Sequence, residues 1–278
     1  MDSNSLIAFI DETCNETNSR FVSSGEVEPL GIDGITGRIS NLDSFALNCV
    51  GLSKLSEQTA ENTIKEVAER YKEKAKNFSW LVGPSSSPHN LGSLLEKNGL
   101  VKIPQACMAG MYIELKEFKL KGSEEVIVEK KPISKILEYT DLLANAYGFG
   151  ESLEAFAVRS KLIMHSGDCA DLYLAFLKNI DDPVAYGVSV YYRKEKIVIL
   201  QGSGTLGAFR GKGIYTSLVA ARISDAIHMG LETAVIQAIN STSMPICQKI
   251  GFKKISDIDL YAYGQANLDH TRRVMSSL

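Results

Sequence analysis

The run T-L-G-A-F-R-G-K-G-I-Y at residues 205–215 has the residue types and spacing that suit anion binding. A hydrophobic stretch precedes it and an amphipathic stretch follows, which predicts a strand, a glycine-spaced turn and a helix. Such a turn leaves backbone N–H groups unpaired at the helix N-terminus, where the helix dipole favours negative charge. Gly211 and Gly213 allow close approach of an anion, while Arg210 and Lys212 add positive charge. The run therefore predicts a phosphate site, with pyrophosphate as the natural ligand.

Two other nucleotide-binding motifs are absent from this sequence. The turn does not match the GxxxxGK[ST] pattern of a P-loop or the GxGxxG pattern of a dinucleotide site, and no suitable acidic residue follows a second parallel strand. A glycine-rich turn that binds no ligand stays open as the alternative, because the loop alone is only moderately specific. A second pattern elsewhere in the chain is needed to choose the ligand.

The second pattern is N-S-T-S-M-P-I-C-Q-K-I-G-F at residues 240–252, an asparagine after a predicted strand and then a helix that ends in Gly-Phe. Together the two runs resemble the GNAT superfamily of acyl-CoA-dependent N-acyltransferases, in spacing as well as in residues. The first block of that family reads Arg/Gln-x-x-Gly-x-Gly/Ala, and Arg210, Gly213 and Tyr215 fall on its positions. Tyr215 departs from the small residue that the family prefers. The resemblance covers approximately residues 126–263.

The resemblance implies that acetyl-CoA is the cosubstrate and that it binds at the strand-to-helix turn. The residues expected to bind it are Gly204, Thr205, Leu206, Arg210, Gly211, Lys212, Gly213, Ile214, Tyr215 and Asn240. The strand that ends near Thr205 would splay from its neighbour at residues 234–239, and pantetheine would enter the gap. A backbone N–H near Thr205 would polarise the thioester carbonyl, and a primary amine would attack it directly in a ternary complex. The expected activity is that of an acetyl-CoA-dependent N-acetyltransferase with a small-molecule amine as acceptor.

The residues that would transfer protons lie at positions where this sequence departs from the family pattern. Many members of the family place a tyrosine on the last short helix near the CoA sulfur as general acid, and the matching residue here is Cys247. A thiol could protonate the leaving thiolate, whereas a small buried hydrophobe is the alternative interpretation. The strand at residues 197–204 contains no carboxylate, so the general base would be water, Glu151 or Glu154. Both glutamates could instead be ordinary surface acids.

The acceptor pocket is expected near residues 148–154 and the last strand pair, because loops set specificity in this fold. Tyr191 and Tyr192 could line it, although alternation along a strand turns one of the two towards the core. Two other functions stay open. A CoA-binding sensor or regulatory protein fits the missing carboxylates and Cys247, while a toxin-resistance or interaction module would use the first half of the chain to bind a protein partner.

The chain is predicted to be an α/β protein with two GNAT-like domains, residues 1–120 and 121–278, joined at the polar stretch 115–123. The second half is predicted to contain two helices, three antiparallel strands, a helix, a strand, a helix and a last strand pair. Helix, strand, Gly-terminated helix and strand recur in the first half, starting with a helix at 56–76. Each domain is expected to have a mixed, mostly antiparallel sheet with helices on both faces. No phosphate loop precedes the strand at Trp80, so this degenerate half is not expected to bind CoA; an unrelated α/β cap is the alternative.

Composition and charge narrow the class of protein. The net charge of −3 and the short basic stretches, interleaved with glutamates, argue against a nucleic-acid partner. There is no run of about 18 apolar residues that would predict a membrane span, and the N-terminus lacks the basic start of a signal peptide, so we expect a cytoplasmic protein. The five cysteines are scattered without a CxxC pair, which is typical of reduced thiols rather than of a disulfide framework or a zinc site. We expect no metal, and either a monomer or a homodimer.

Overall fold

The computed structural model describes residues 1–15, 21–22, 24–147 and 152–264. Its internal contacts divide the chain into two compact units. The first unit contains Met1–Gly110, Gln237–Pro245 and the described residues from Lys254 onwards, and the second contains Met111–Ile236 and Ile246–Lys253. The boundary predicted from the sequence lies at residue 120, and the chain returns from the second unit to the first at Gln237 and again at Lys254. That return depends on strand pairing between residues far apart in the sequence.

The elements are numbered in chain order. The α-helices of the described residues are α1 Ser3–Asn15, α2 Glu57–Glu73, α3 Leu91–Lys97, α4 Thr140–Tyr147, α5 Leu153–Met164, α6 Ile214–His228 and α7 Ser243–Ile250. The strands are β1 Val27–Pro29, β2 Thr36–Ser40, β3 Cys49–Gly51, β4 Phe78–Val82, β5 Val101–Lys102, β6 Met108–Glu114, β7 Val126–Pro132, β8 Cys169–Leu177, β9 Ala185–Tyr192, β10 Ile197–Thr205, β11 Thr233–Ile239 and β12 Lys253–Tyr263.

The sheet of the first unit has the strand order β1-β2-β3-β4-β12, and β5 also pairs with β12. Strand β3 is parallel to β4, and the other pairs are antiparallel. The pairing of β12 with β4 runs from Asp259↔Val82 to Tyr263↔Phe78. The last strand of the described residues, β12, therefore belongs to the sheet of the first unit.

Helix α2 covers this sheet and begins with a capping box. The Ser56 side chain accepts a hydrogen bond from the Thr59 backbone, and the Thr59 side chain accepts one from the Ser56 backbone, which satisfies two N–H groups of the first turn. Its buried stripe consists of Ala60, Ile64, Val67, Ala68 and Tyr71. Tyr71 stacks on Phe78 of β4 with ring centroids 4.3 Å apart. The helix predicted at 56–76 is confirmed, and it ends at Glu73.

The sheet of the second unit has the order β11-β10-β9-β8-β7, in which β7 to β10 are antiparallel and β11 is parallel to β10. The edge strand β7 was not predicted from the sequence. Its residues are V-I-V-E-K-K-P, three apolar residues followed by three charged ones, so the sequence lacks the apolar alternation that marks a strand with one buried face. Pro132 ends β7, and a 3-10 segment at Ile133–Tyr139 leads from it into α4.

Helices cover both faces of the second sheet, as two successive residues of β10 demonstrate. Side chains alternate between the faces of a sheet along a strand. The Ser203 hydroxyl accepts a hydrogen bond from Arg222 of α6. A Cβ on the next residue, Gly204, would lie 2.8 Å from the carbonyl of Ala146 in α4. The predicted α/β class, with a mixed sheet and helices on both faces, is confirmed.

We expect Gly204→Ala to destabilise the second unit, because the added Cβ would meet the Ala146 backbone rather than a flexible side chain. Overpacking of this kind costs about 1–3 kcal/mol. Urea unfolding of the two proteins measures the difference in the free energy of unfolding. Gly207→Ala is the matched control, since a Cβ there meets no described heavy atom within 4 Å. Equal stability of G204A and wild type would contradict the close packing of α4 on β10.

Candidate functional site

The glycine loop connects β10 to α6 in a geometry that requires glycine. A 3-10 turn at Gly207–Phe209 is followed by Gly211 with φ +77° and by Gly213 with φ +74°, which is the N-cap of α6. A Cβ at Gly211 or Gly213 would meet no described heavy atom within 4 Å, so glycine is required by the left-handed backbone and not by crowding. Gly213 brings no side chain to cap the first turn of α6. The N–H groups of that turn are therefore available to an external acceptor.

The charged side chains of the loop lie at the surface. Arg210 is exposed, and its Nε donates a hydrogen bond to the Thr205 carbonyl at 3.2 Å, which closes the loop on the end of β10. Lys212 is also exposed, and its Nζ lies 5.4 Å from the centroid of the Phe209 ring. Two cations and a helix N-terminus therefore face solvent together, an arrangement that attracts an anion.

Ile214 anchors the loop to the core. Its side chain is buried together with Tyr173 of β8 and Leu218 of α6. Only its backbone N–H can therefore reach a ligand, although the sequence analysis names it among the binding residues. Buried packing of the first helical residue also fixes the direction in which α6 leaves the loop.

Strand β10 leaves β11 part of the way along its length. Its parallel register with β11 runs from Ile197↔Thr233 to Ile199↔Val235, whereas its antiparallel register with β9 continues to Thr205↔Ala185. A bulge lies between Gln201 and Ser203 in β10. The divergence predicted from the resemblance is present, and it begins before the bulge.

Gly204 and Thr205 at the end of β10, and Leu206 after it, each make a contact within the protein. Gly204 packs against the backbone of α4, as described above. The Leu206 N–H donates to the Val184 carbonyl at 3.0 Å, so this N–H is already used. The Thr205 carbonyl accepts from Arg210. A backbone donor for a bound carbonyl must therefore come from β10 itself and not from Leu206.

The two positions at which the sequence departs from the family pattern are in contact. The Tyr215 hydroxyl in the first turn of α6 lies 3.5 Å from the Cys247 Sγ on α7. Cys247 is fully buried. Burial raises the pKa of the thiol, and the hydrogen bond with Tyr215 offsets only part of this rise. Burial also raises the pKa of Tyr215, so both groups are protonated at neutral pH. The two residues are 32 positions apart in the sequence, and no local pattern predicts their contact.

The other candidate catalytic and pocket residues are placed as follows. Glu151 lies outside the described residues, as do Gly148–Gly150 of the expected pocket loop. Glu154 is exposed in the first turn of α5, where its negative charge interacts favourably with the helix dipole. Tyr191 is fully buried with its hydroxyl 3.0 Å from that of Tyr173, whereas Tyr192 is only half-buried. The expectation that one of the two tyrosines faces the core is met by Tyr191.

Asn240 belongs to the first unit, while the glycine loop belongs to the second. Its backbone N–H donates to the Cys107 carbonyl at 3.0 Å. Its side-chain Oδ1 is buried and has no hydrogen-bond partner among the described residues. A buried acceptor of this kind is unusual in a folded protein.

Sequence reasoning missed one residue next to the site, Arg222 of α6. It is fully buried, and its guanidinium donates to groups on β9 and β10, including the Ser189 and Ser203 hydroxyls. Its burial could have been predicted from its position, since Leu218, Arg222 and Ala226 recur at intervals of four residues on the buried face of α6. An arginine in such a stripe indicates a buried cation with specific partners.

The described residues contain no group of three or more His, Cys, Asp or Glu side chains that could hold a metal ion. Within the same part of the chain, no helix is long and apolar enough to cross a membrane.

No protein-family model matches the chain, and no curated protein matches its sequence. Several solved structures match its fold. A GCN5-related N-acetyltransferase from Kribbella flavida has a TM-score of 0.70 at 12% identity, over 95% of this chain and 97% of that chain. A tandem GNAT protein from the clavulanic acid biosynthesis pathway has a TM-score of 0.63 at 9% identity, over 95% and 97%. A GCN5-related N-acetyltransferase from Sphaerobacter thermophilus has a TM-score of 0.61 at 12% identity, over 94% and 93%.

These matches extend over nearly the whole chain. At identities this low, they show a common fold and nothing more. The resemblance drawn from residues 205–215 and 240–252 is thereby confirmed at the level of the fold. The chain has the fold of the GCN5-related N-acetyltransferases.

Proposed function

We propose that this protein is an N-acetyltransferase that moves an acetyl group from acetyl-CoA to the primary amine of a small molecule. One observation carries the proposal. The glycine loop presents uncapped N–H groups of α6, flanked by Arg210 and Lys212, at the end of a strand that has left its parallel neighbour. An anion site beside an unpaired strand edge suits a ligand with a pyrophosphate at one end and amide groups along a linear arm.

The residues present fit such a ligand. Backbone N–H groups from Gly211 to Tyr215 would hold the pyrophosphate, and Arg210 and Lys212 would balance its charge. Thr205 and the preceding residues of β10 offer backbone groups to the pantetheine arm, because β11 no longer pairs with this part of β10. Gly204, Leu206 and Ile214 shape the site through packing.

The chemistry would be a direct attack. The amine nitrogen forms a bond to the thioester carbon, the tetrahedral intermediate collapses, and the C–S bond breaks to release a thiolate. The amine loses a proton to a base, for which water, Glu151 and Glu154 stay the candidates, and the thiolate gains one from an acid. Cys247 and Tyr215 are suited to the acid role, because burial keeps both protonated at neutral pH.

Acetyl-CoA binding is tested by titration calorimetry on wild type and on Arg210→Ala. We expect wild type to bind, and R210A to bind about 10-fold to 100-fold more weakly, because a hydrogen bond to a charged group contributes about 1.5–3 kcal/mol. Arg193→Ala is the matched control: Arg193 is exposed too, but it lies beyond the opposite end of β10. Absence of wild-type binding at millimolar ligand would refute the site, and equal weakening by R193A would show a general charge effect.

The acid role is tested with Tyr215→Phe and Cys247→Ala. Loss of a general acid lowers kcat by about 10²-fold to 10⁴-fold, while the Kd for acetyl-CoA should change little. A general acid must be protonated, and burial raises the pKa of the Cys247 thiol above its ordinary value of 9.0. The rate of wild type should therefore show no decrease as the pH rises through 9. Cys107→Ala, which removes another buried thiol, serves as control. Unchanged kcat in both variants would exclude the pair.

A second candidate function, a CoA-binding sensor or regulatory protein, is favoured by the lack of a carboxylate in β10 and by Cys247 at the position of the family tyrosine. Release of free thiol from acetyl-CoA, measured over a panel of primary amines, separates the two functions. An enzyme releases thiol with at least one amine above the rate without amine. Binding of acetyl-CoA with no amine-dependent release would favour the sensor.

A further inference from the structure

A buried cation links α6 to the two strands beside the loop. Arg222 is fully buried, and burial lowers the pKa of its guanidinium to about 10, which still leaves it charged at neutral pH. Burying a cation is costly unless its N–H groups are hydrogen-bonded. The acceptors around Arg222 are hydroxyls and carbonyls. Its titratable neighbours are the phenols of Tyr215, Tyr173 and Tyr191 and the thiol of Cys247.

All four acceptors lie at the bulge. The guanidinium Nε donates to Ser189 Oγ at 3.2 Å, and Nη1 donates to Ser203 Oγ at 2.6 Å. The Nη2 group donates to the carbonyls of Val188 and Gln201, the latter at 3.2 Å. Val188 and Gln201 are cross-strand partners, and the register of β9 with β10 shifts directly after this pair. Because a bulge disrupts the ladder, a rigid fork of donors is well suited to bridging its two strands.

The strands are shaped around this guanidinium. A Cβ at Gly187, the partner of Ser203 after the register shift, would lie 2.9 Å from Arg222 Nη1. Gly202, between the two residues that flank the bulge, has φ +44°. One glycine makes room for the arginine and the other permits the bulge that the arginine bridges. The arrangement is a built site for Arg222.

The bridged segment is also the part of β10 that β11 does not support. Pairing with β11 ends at Ile199, two residues before Gln201. From there to Thr205, β10 is contacted by β9, by α4 at Gly204 and, through Arg222, by α6. The same helix begins at Ile214 in the glycine loop, about 12 Å from Arg222 along its axis. One rigid helix therefore touches both the anion site and the unsupported strand.

We propose that Arg222 is a positioning residue that holds residues 200–205 of β10 at a fixed distance from the glycine loop. The pyrophosphate would be anchored by the loop, and the thioester would be aligned by the strand, so that loss of Arg222 disturbs alignment but leaves anchoring intact. The kinetic part of this inference rests on the proposed acetyl-CoA site. The effect on the strand does not depend on that site.

The kinetic test compares Arg222→Lys with wild type. Lysine keeps the charge, but one ammonium cannot replace the planar fork that bridges both strands. We expect kcat to fall about 100-fold, as for a misplaced reactant, while the Kd for CoA measured by calorimetry stays within about threefold, since the loop contacts are intact. Ile223→Ala is the control for lost stability: Ile223 is buried next to Arg222, but its side chain cannot hydrogen-bond the bulge. An unchanged kcat in R222K, or an equal loss of kcat in I223A, would overturn the proposal.

The strand test needs no ligand. Amide hydrogen exchange of R222K should accelerate at residues 200–205 by about tenfold or more, with little change in β8 of the same sheet. A uniform rise over β8 and β10 would indicate a general structural role and overturn the proposal. If R222K does not fold, Ser203→Ala removes one acceptor and should give a smaller rise at the same amides; no rise there would also overturn it. If wild type fails to bind acetyl-CoA, the proposed function is lost, and exchange still decides the role of Arg222.

Discussion

Strand β10 has two neighbours at its start and one at its end, and much of the second unit follows from this asymmetry. Its parallel ladder with β11 ends at Ile199, while its antiparallel ladder with β9 continues to Thr205. A strand that loses one neighbour must satisfy its backbone groups elsewhere or leave them to a ligand. Arg222 satisfies the Gln201 carbonyl at the bulge, and β11 does not pair with the residues of β10 that follow Ile199.

The partners of Arg222 matter as much as its position. A carboxylate would neutralise the buried charge, whereas hydroxyl and carbonyl dipoles stabilise it and leave its field in place. Around it, burial keeps Tyr215 and Cys247 protonated. The second unit therefore combines an internal positive charge with a positive helix N-terminus at its surface, although the whole chain carries a net charge of −3.

Tyr215 has a larger side chain than the family pattern predicts at its position, and Cys247 has a smaller one. The first is large where the family has glycine or alanine, and the second is small where many members have tyrosine. The Tyr215 hydroxyl lies 3.5 Å from the Cys247 Sγ. The larger side chain on α6 therefore lies beside the smaller one on α7. Close packing of interiors makes such paired changes intelligible, since a cavity and an overlap are both costly.

Features that depend on neighbouring residues could be predicted from the sequence. The stripe of α2 follows a helical period, and the spacing of Gly211 and Gly213 predicted the turn before α6. Their left-handed backbone was seen only in the structure. The two blocks at 205–215 and 240–252 were enough to indicate the fold. The pairing of β12 with β4, the close approach of Ala146 to Gly204 and the contacts of Arg222 at the bulge became visible only in the folded chain. Each of these depends on a partner distant in the chain, and no local pattern identifies that partner.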